Sequence, residues 1–167
     1  VTALEFSPDS KYLATGDRNG GLVVWEAGSG QEQITFTGHR GAITGLSWRS
    51  DSDVLISSSE DGTVKMWKVS DGQQMRTWPA HNGGVLSVKS ARDGRIVSCG
   101  RDNQITLWDA SGTRQRSILV TNELPVRVAF SHDGGRVIGS DWAGNVAVWN
   151  SADGKDVGKL RLNPPTL

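Results

Sequence analysis

Four tryptophans, Trp25, Trp67, Trp108 and Trp149, stand 42, 41 and 41 residues apart. Each closes the same block. The fullest copy is Ser57-Ser58-Ser59-Glu60-Asp61-Gly62-Thr63-Val64-Lys65-Met66-Trp67, which reads as strand, tight turn and strand. Ile96 to Trp108 repeats it around Arg101-Asp102-Asn103, Leu13 to Trp25 around Arg18-Asn19-Gly20, and Val137 to Trp149 around Trp142-Ala143-Gly144. A fixed period of this size marks a chain built from stacked supersecondary units. No single unit can bury both of its faces alone.

Within each period the alternation predicts four short strands. Unit one gives Val1 to Phe6, Tyr12 to Thr15, Leu22 to Trp25 and Gln33 to Phe36. Unit two gives Ile43 to Trp48, Val54 to Ser58, Val64 to Lys68 and Met75 to Trp78. Unit three gives Val85 to Lys89, Ile96 to Cys99, Ile105 to Trp108 and Ser117 to Val120. Unit four gives Val126 to Phe130, Arg136 to Ile138, Val146 to Trp149 and Val157 to Leu162; Pro164 and Pro165 cannot continue a central strand. Asp-Gly and Asn-Gly pairs supply the turns. No window carries a sustained 3.6-residue apolar period, so almost no helix is expected. The fold class is all-β: four four-stranded antiparallel sheets at about 1–38, 39–80, 81–121 and 122–163, repeated radially as the blades of a β-propeller.

The 18 basic and 18 acidic side chains cancel, which argues against a chain built mainly to hold nucleic acid or an anionic membrane. The charge is uneven. Residues 1–38 carry 2 basic and 5 acidic groups, and residues 81–121 carry 6 and 3. No apolar run approaches the length of a membrane span. Cys99 is the single cysteine, so no internal disulfide forms. Its place in a strand makes it a buried apolar residue, compatible with a reducing, cytoplasmic compartment. His39, His81 and His132 are far apart and Cys99 has no CxxC partner, so no metal site is expected. With no helix to follow a glycine-rich loop, no phosphate site and no cofactor are expected. Val1 opens directly in strand-like sequence, as a segment of a longer chain would.

Gly38-His39 and Ala80-His81 open units two and three, and the closing dipeptides are Trp25-Glu26, Trp67-Lys68, Trp108-Asp109 and Trp149-Asn150. Four in-phase copies of this pattern resemble the WD40 repeat family across essentially the whole chain. His39, Asp61 and Ser57, or His81, Asp102 and Ser98, can be drawn as hydrolase triads. However, a propeller has no reason to carry one triad per blade, and no nucleophile-elbow glycines flank these serines. The chain is therefore expected to be no enzyme. The resemblance implies a structural role instead: buried tetrads His39, Ser57, Asp61, Trp67 and His81, Ser98, Asp102, Trp108. Unit two offers Ser57 and Ser59, but unit three has Ser98 and then Gly100, which favours the Ser57/Ser98 position. Asn19 and Ala143 replace the turn Asp in units one and four, and Asn122 stands where unit four would need His. Full tetrads are expected only in the two middle units.

The resemblance also implies a protein-binding face on the loops before the first strand and between the second and third. Carried onto this sequence, that face comprises Thr2 and Arg18; Ala42, Thr44 and Glu60; Gly84, Leu86 and Arg101; Pro125, Arg127 and Trp142. Arg18, Arg101, Arg127 and Trp142 are the leading candidates, since Arg and Trp dominate interaction hot spots. Trp142 occupies a turn where the other copies have Arg18, Glu60 and Arg101, so the repeat does not require an aromatic there. Trp48 and Trp78 fall on strands and read as packing residues.

WD40 rings usually close with seven or eight blades, so successive blades turn by roughly 45–51° and four make about half a ring. A half ring would expose two apolar blade faces. Two copies related by a two-fold axis could join unit four of one to unit one of the other, twice, giving an eight-bladed homodimer. The alternatives are a closed four-bladed ring or a segment completed by further repeats of a longer chain. The expected function is a non-catalytic scaffold for protein–protein interaction, with an unknown protein partner and self-association. The alternative is an accessory propeller of a larger bacterial enzyme or cytochrome-linked redox protein. Leu162-Asn163-Pro164-Pro165 loosely resembles the end of such domains, although no haem motif is present.

Overall fold

In a computed structural model, which describes residues 1–121 and 124–161, the glycine turns reverse the chain as the repeat requires. Gly62 at φ 84° and Gly20 at φ 89° sit in the left-handed region that a side chain resists, so Asp61-Gly62 and Asn19-Gly20 reverse direction cheaply. The described residues form sixteen strands. The first sheet holds β1 (Ala3–Phe6), β2 (Tyr12–Gly16), β3 (Leu22–Glu26) and β4 (Glu32–Phe36). The second holds β5 (Ile43–Trp48), β6 (Val54–Ser59), β7 (Thr63–Lys68) and β8 (Gln74–Pro79). The third holds β9 (Val85–Ser90), β10 (Ile96–Gly100), β11 (Gln104–Trp108) and β12 (Arg114–Leu119). The fourth holds β13 (Pro125–Phe130), β14 (Arg136–Asp141), β15 (Asn145–Asn150) and β16 (Asp156–Arg161). Every sheet is antiparallel with its strands side by side in chain order, and no described residue is helical.

The blades pack in chain order, chiefly through the inner strands β1, β5, β9 and β13. Three cores fill the three joints. Ala14, Leu22, Val24 and Phe36 of the first blade meet Leu46, Trp48, Leu55 and Trp67 of the second. Val54, Ile56, Val64, Met66 and Trp78 meet Val85, Val88, Ile96 and Trp108. Val97, Cys99, Ile105, Leu107 and Ile118 meet Val128, Val137 and Trp149. Each joint thus sets the tryptophan-bearing face of one blade on the opposite face of the blade before it. Among the described residues the first and fourth blades form no such joint with each other, so the arrangement is an open arc and not a closed four-bladed ring.

Several strand limits differ from the sequence reading. β12 begins at Arg114 instead of Ser117, because backbone pairing continues through Leu107↔Arg116 and a bulge to Trp108↔Arg114. Arg114, Gln115 and Arg116 are all exposed, so this outermost strand shows no apolar alternation. β14 runs to Asp141 beyond Ile138, since Gly139 and Ser140 still pair with Ala147 and Val146. β1 starts at Ala3, not Val1, where pairing with Gly16 begins. Asn122, Leu162, Asn163, Pro164 and Pro165 lie outside the described residues.

Candidate functional site

Two sets of residues follow the blades: a buried polar network, complete in the second and third, and a row of turn residues at one edge of the arc. In the second blade, His39 Nδ1 donates to Asp61 Oδ2 at 2.9 Å and His39 Nε2 lies 2.7 Å from Ser57 Oγ. Trp67 Nε1 donates to the same Ser57 oxygen at 2.8 Å. In the third blade, His81 Nδ1 meets Asp102 Oδ1 at 2.8 Å, His81 Nε2 meets Ser98 Oγ at 2.7 Å, and Trp108 Nε1 donates to Ser98 Oγ at 2.9 Å. The serine hydroxyl accepts from the indole and donates to the imidazole, so one proton direction runs from Trp to Asp. Both histidine side chains are fully buried.

That burial lowers the pKa of both histidines despite the neighbouring carboxylates. They are neutral at physiological pH and act as hydrogen-bond relays. Burial would raise the Asp61 carboxyl, but donors from the Thr63 hydroxyl, the Arg40 and Thr63 backbone N–H groups and His39 outweigh it and hold it at about 2. Ser57 and Ser98 are fully buried, and each hydroxyl is committed within its network. The geometry is that of a structural clasp between the loop entering a blade and the hairpin inside it.

The outer blades carry partial versions that the turn positions alone do not reveal. Trp25 Nε1 donates to Thr15 Oγ1 at 2.8 Å. Thr15 lies ten residues before Trp25, as Ser57 lies before Trp67 and Ser98 before Trp108, so the spacing was the available signal. In the fourth blade Gly139 holds that position, against the Trp149 ring, and no hydroxyl is available. The turn carboxylate is displaced, not lost. Asp17 Oδ1 accepts from the Asn19 and Gly21 N–H groups at 2.7 and 2.9 Å, and Asp141 Oδ1 accepts from Asn145 N at 2.9 Å.

The second set comprises the β2–β3-type turns, each seated on the loop that enters the next blade. The Arg18-Asn19-Gly20 turn lies against His39 and Gly41, since a Cβ on Gly20 would stand 2.6 Å from the His39 carbonyl oxygen. The Glu60-Asp61-Gly62 turn lies in the same way against His81 and Gly84. Arg18, Glu60, Arg101 and Trp142 therefore form a row, one per blade. Glu60 and Arg101 are each 51% exposed and their charged groups lie 3.5 Å apart, joining blades two and three. Trp142 is 79% exposed, an unusual position for a large aromatic. Arg127 is exposed and reaches back to the Leu86 carbonyl at 3.4 Å.

Other candidate face residues are already occupied. Thr44 is half-buried with its hydroxyl 3.0 Å from Ser58 Oγ, and Leu86 is half-buried against the third core. Pro125 and Gly84 are buried, Gly84 against Glu60 of the preceding turn. Thr2 donates to the Ile43 carbonyl at 2.7 Å and ties the first joint. Around the axis, Lys89 of the third blade donates to Glu5 of the first at 2.6 Å, a pairing no local motif announces. Among the described residues no group of three His, Cys, Asp or Glu side chains gathers to hold a metal.

With this geometry in view, comparison with known proteins is specific. The family profile described as "WD domain, G-beta repeat" matches residues 1–26, 30–68 and 72–109. The chain is similar to the human U3 small nucleolar RNA-interacting protein 2, at 51% identity over 45 residues. Those residues are 27% of this chain and 10% of that protein. It is also similar to the solved structure of U3-55K (TM-score 0.87, 28% identity, 95% of this chain and 49% of that one). The same holds for the crystal structure of RRP9 WD40 repeats (TM-score 0.88, 28% identity, 95% and 48%). The chain thus spans about half the length of these solved relatives.

Proposed function

The chain belongs to the WD40 repeat family, and from that premise we propose that it is a non-catalytic protein-interaction scaffold whose partner docks on the row Arg18, Glu60, Arg101, Arg127 and Trp142. The observation that carries this reading is Trp142, exposed at 79% in a turn whose counterparts are charged. No packing role holds an aromatic side chain there, and a partner that covered it would recover the cost of its exposure. Glu60 and Arg101, in the corresponding turns of the second and third blades, add paired charge to the row, which favours a partner of mixed polarity over a polyanion. The buried networks of the second and third blades hold the Glu60 and Arg101 turns, so the partner meets a preformed surface there.

The same chain is further proposed to self-associate into an eight-bladed ring. What supports this is the open arc with two unmatched ends, together with solved relatives about twice as long. The loop-face reading is tested by presenting wild type and the Trp142→Ala/Arg101→Ala double variant as bait to extract from the source organism. Both substitutions lie on exposed turns, and circular dichroism verifies the fold. A specific partner lost by the double variant supports the face. Retention of every partner by the double variant removes it.

A further inference from the structure

Two of the three blade joints share a contact made on the end of the later blade's inner strand. In each blade, one residue of the second strand pairs directly with the repeat tryptophan: Leu13↔Trp25, Leu55↔Trp67, Ile96↔Trp108 and Val137↔Trp149. The residue just before it leans across the joint onto the end of the next blade's inner strand. At the first joint that residue is Tyr12, stacked on Trp48 with centroids 6.3 Å apart and planes at 19°. At the third joint it is Arg95, whose guanidinium lies 5.5 Å from the Phe130 ring centroid. Arg95 also donates to the Gly134 carbonyl at 2.9 Å and to Ser151 Oγ at 3.2 Å. At the middle joint Val54 and Ser90 hold these places, and Val54 belongs to the shared core.

Both halves of this contact recur, unmatched, at the two ends of the arc. Arg136 is the fourth-blade counterpart of Arg95: it immediately precedes Val137, is exposed, and makes no side-chain hydrogen bond or ion pair among the described residues. Phe6 is the first-blade counterpart of Phe130. It ends its inner strand opposite Leu13, as Phe130 ends its own opposite Val137, and it is 57% exposed. Phe6 also lines an open trough of about 350 Å³ with Val1, Leu13 and Trp25. On the fourth blade, Ile138, Val146 and Val148 occupy the places that Ile56, Val64 and Met66 fill at the middle joint, and they face no other blade.

We infer that a second copy of this chain completes the joint, with Arg136 of each copy over Phe6 of the other and Ile138, Val146 and Val148 set into the Trp25 trough. This rests on the self-association proposed above and names its interface. A second copy is the occupant because the two faces that meet at every internal joint, the tryptophan-bearing face and the one opposite, both stand uncovered on the same chain among the described residues. Two such joints related by a two-fold axis leave neither half unmatched. A cation over an aromatic face gains most where water is excluded, as at Phe130.

The test is sedimentation of the 167-residue chain and of Arg136→Glu and Phe6→Ala across a concentration series. Both altered side chains are exposed, so the fold should persist, and circular dichroism checks it. The expected result is a wild-type dimer, weakened about tenfold or more in dissociation constant by either substitution. Benzoylphenylalanine at position 6 should crosslink to β14 or β15 peptides of an isotope-labelled second copy. A monomeric wild type would overturn both the self-association and the joint. A dimer unaffected by both variants, or crosslinked from position 6 elsewhere, would overturn the joint alone.

Discussion

Replacing Ser57 with Ala removes one buried oxygen and breaks two hydrogen bonds at once. Trp67 Nε1 loses its acceptor at 2.8 Å, and His39 Nε2 loses its partner at 2.7 Å. Trp67 is 2% exposed and the His39 side chain is fully buried, so water cannot replace the lost hydroxyl. Each stranded group costs about 1–3 kcal/mol, and the two together about 2–4 kcal/mol. For a chain of this length that is a fall of roughly 5–15 °C in melting temperature. The matched control is Thr15→Val, which removes a single bond to the half-buried Trp25 and should cost under about 1 kcal/mol. Urea denaturation followed by tryptophan fluorescence reads both variants at fixed protein concentration. The cost should also be non-additive: Ser57→Ala with Trp67→Phe should lose less than the two singles summed, because one orphan disappears with its partner. If Ser57→Ala cost no more than Thr15→Val, the hydrogen-bonded clasp would contribute nothing, and the reasoning about the middle blades would fail.

Stability should fall as pH drops below about 6.5. His39 and His81 have native pKa values below that ordinary value, so the unfolded chain takes up protons first; Asp61 adds a second loss between about 3.8 and 2. Urea midpoints at pH 8, 6.5 and 5 check the sign, and a midpoint that rises on acidification contradicts it. Trp78→Phe should cost less than Trp67→Phe, because Trp78 Nε1 has no hydrogen-bond partner to lose whereas Trp67 Nε1 serves Ser57; thermal melts rank the pair. Gly100→Ala should destabilise by about 1–3 kcal/mol, since its Cβ would lie 2.3 Å from His81 Cβ and 2.8 Å from the Gly84 carbonyl oxygen. Gly28→Ala, with nothing within 4 Å, should be close to neutral in the same denaturation assay. Cys99 is buried with its thiol pushed up to about 12, so a thiol reagent at pH 8 should react only after denaturant is added.

The parts of this fold legible in the sequence are those written at a constant offset from a tryptophan. Asp61, Ser57 and Trp67, and their third-blade counterparts, keep one spacing, and the hairpins follow from Asp-Gly and Asn-Gly pairs whose geometry is local. Thr15 kept the same spacing but was hidden by its different residue type, and Asp17 and Asp141 by a two-residue displacement of the turn carboxylate. The start of β12 was illegible for another reason: a strand with Arg114, Gln115 and Arg116 in water shows no alternation, and only its pairing with β11 defines it. The Lys89–Glu5 bond joins side chains 84 positions apart and exists only because the arc brings β9 and β1 to one axis. The neighbours of Thr44, Leu86 and Pro125 were illegible too, because Thr44 pairs with Ser58 across β5 and β6 and Leu86 packs on the third core, contacts set by the assembled sheets.

The central structural claim is that the open arc carries two complementary faces that a second copy covers. Light scattering on the eluting peak of a size-exclusion column at tens of micromolar tests it most directly. A two-fold closed ring elutes with a mass twice the 17.9 kDa of the chain; a peak that stays at the single-chain mass at every concentration would rule out the second copy.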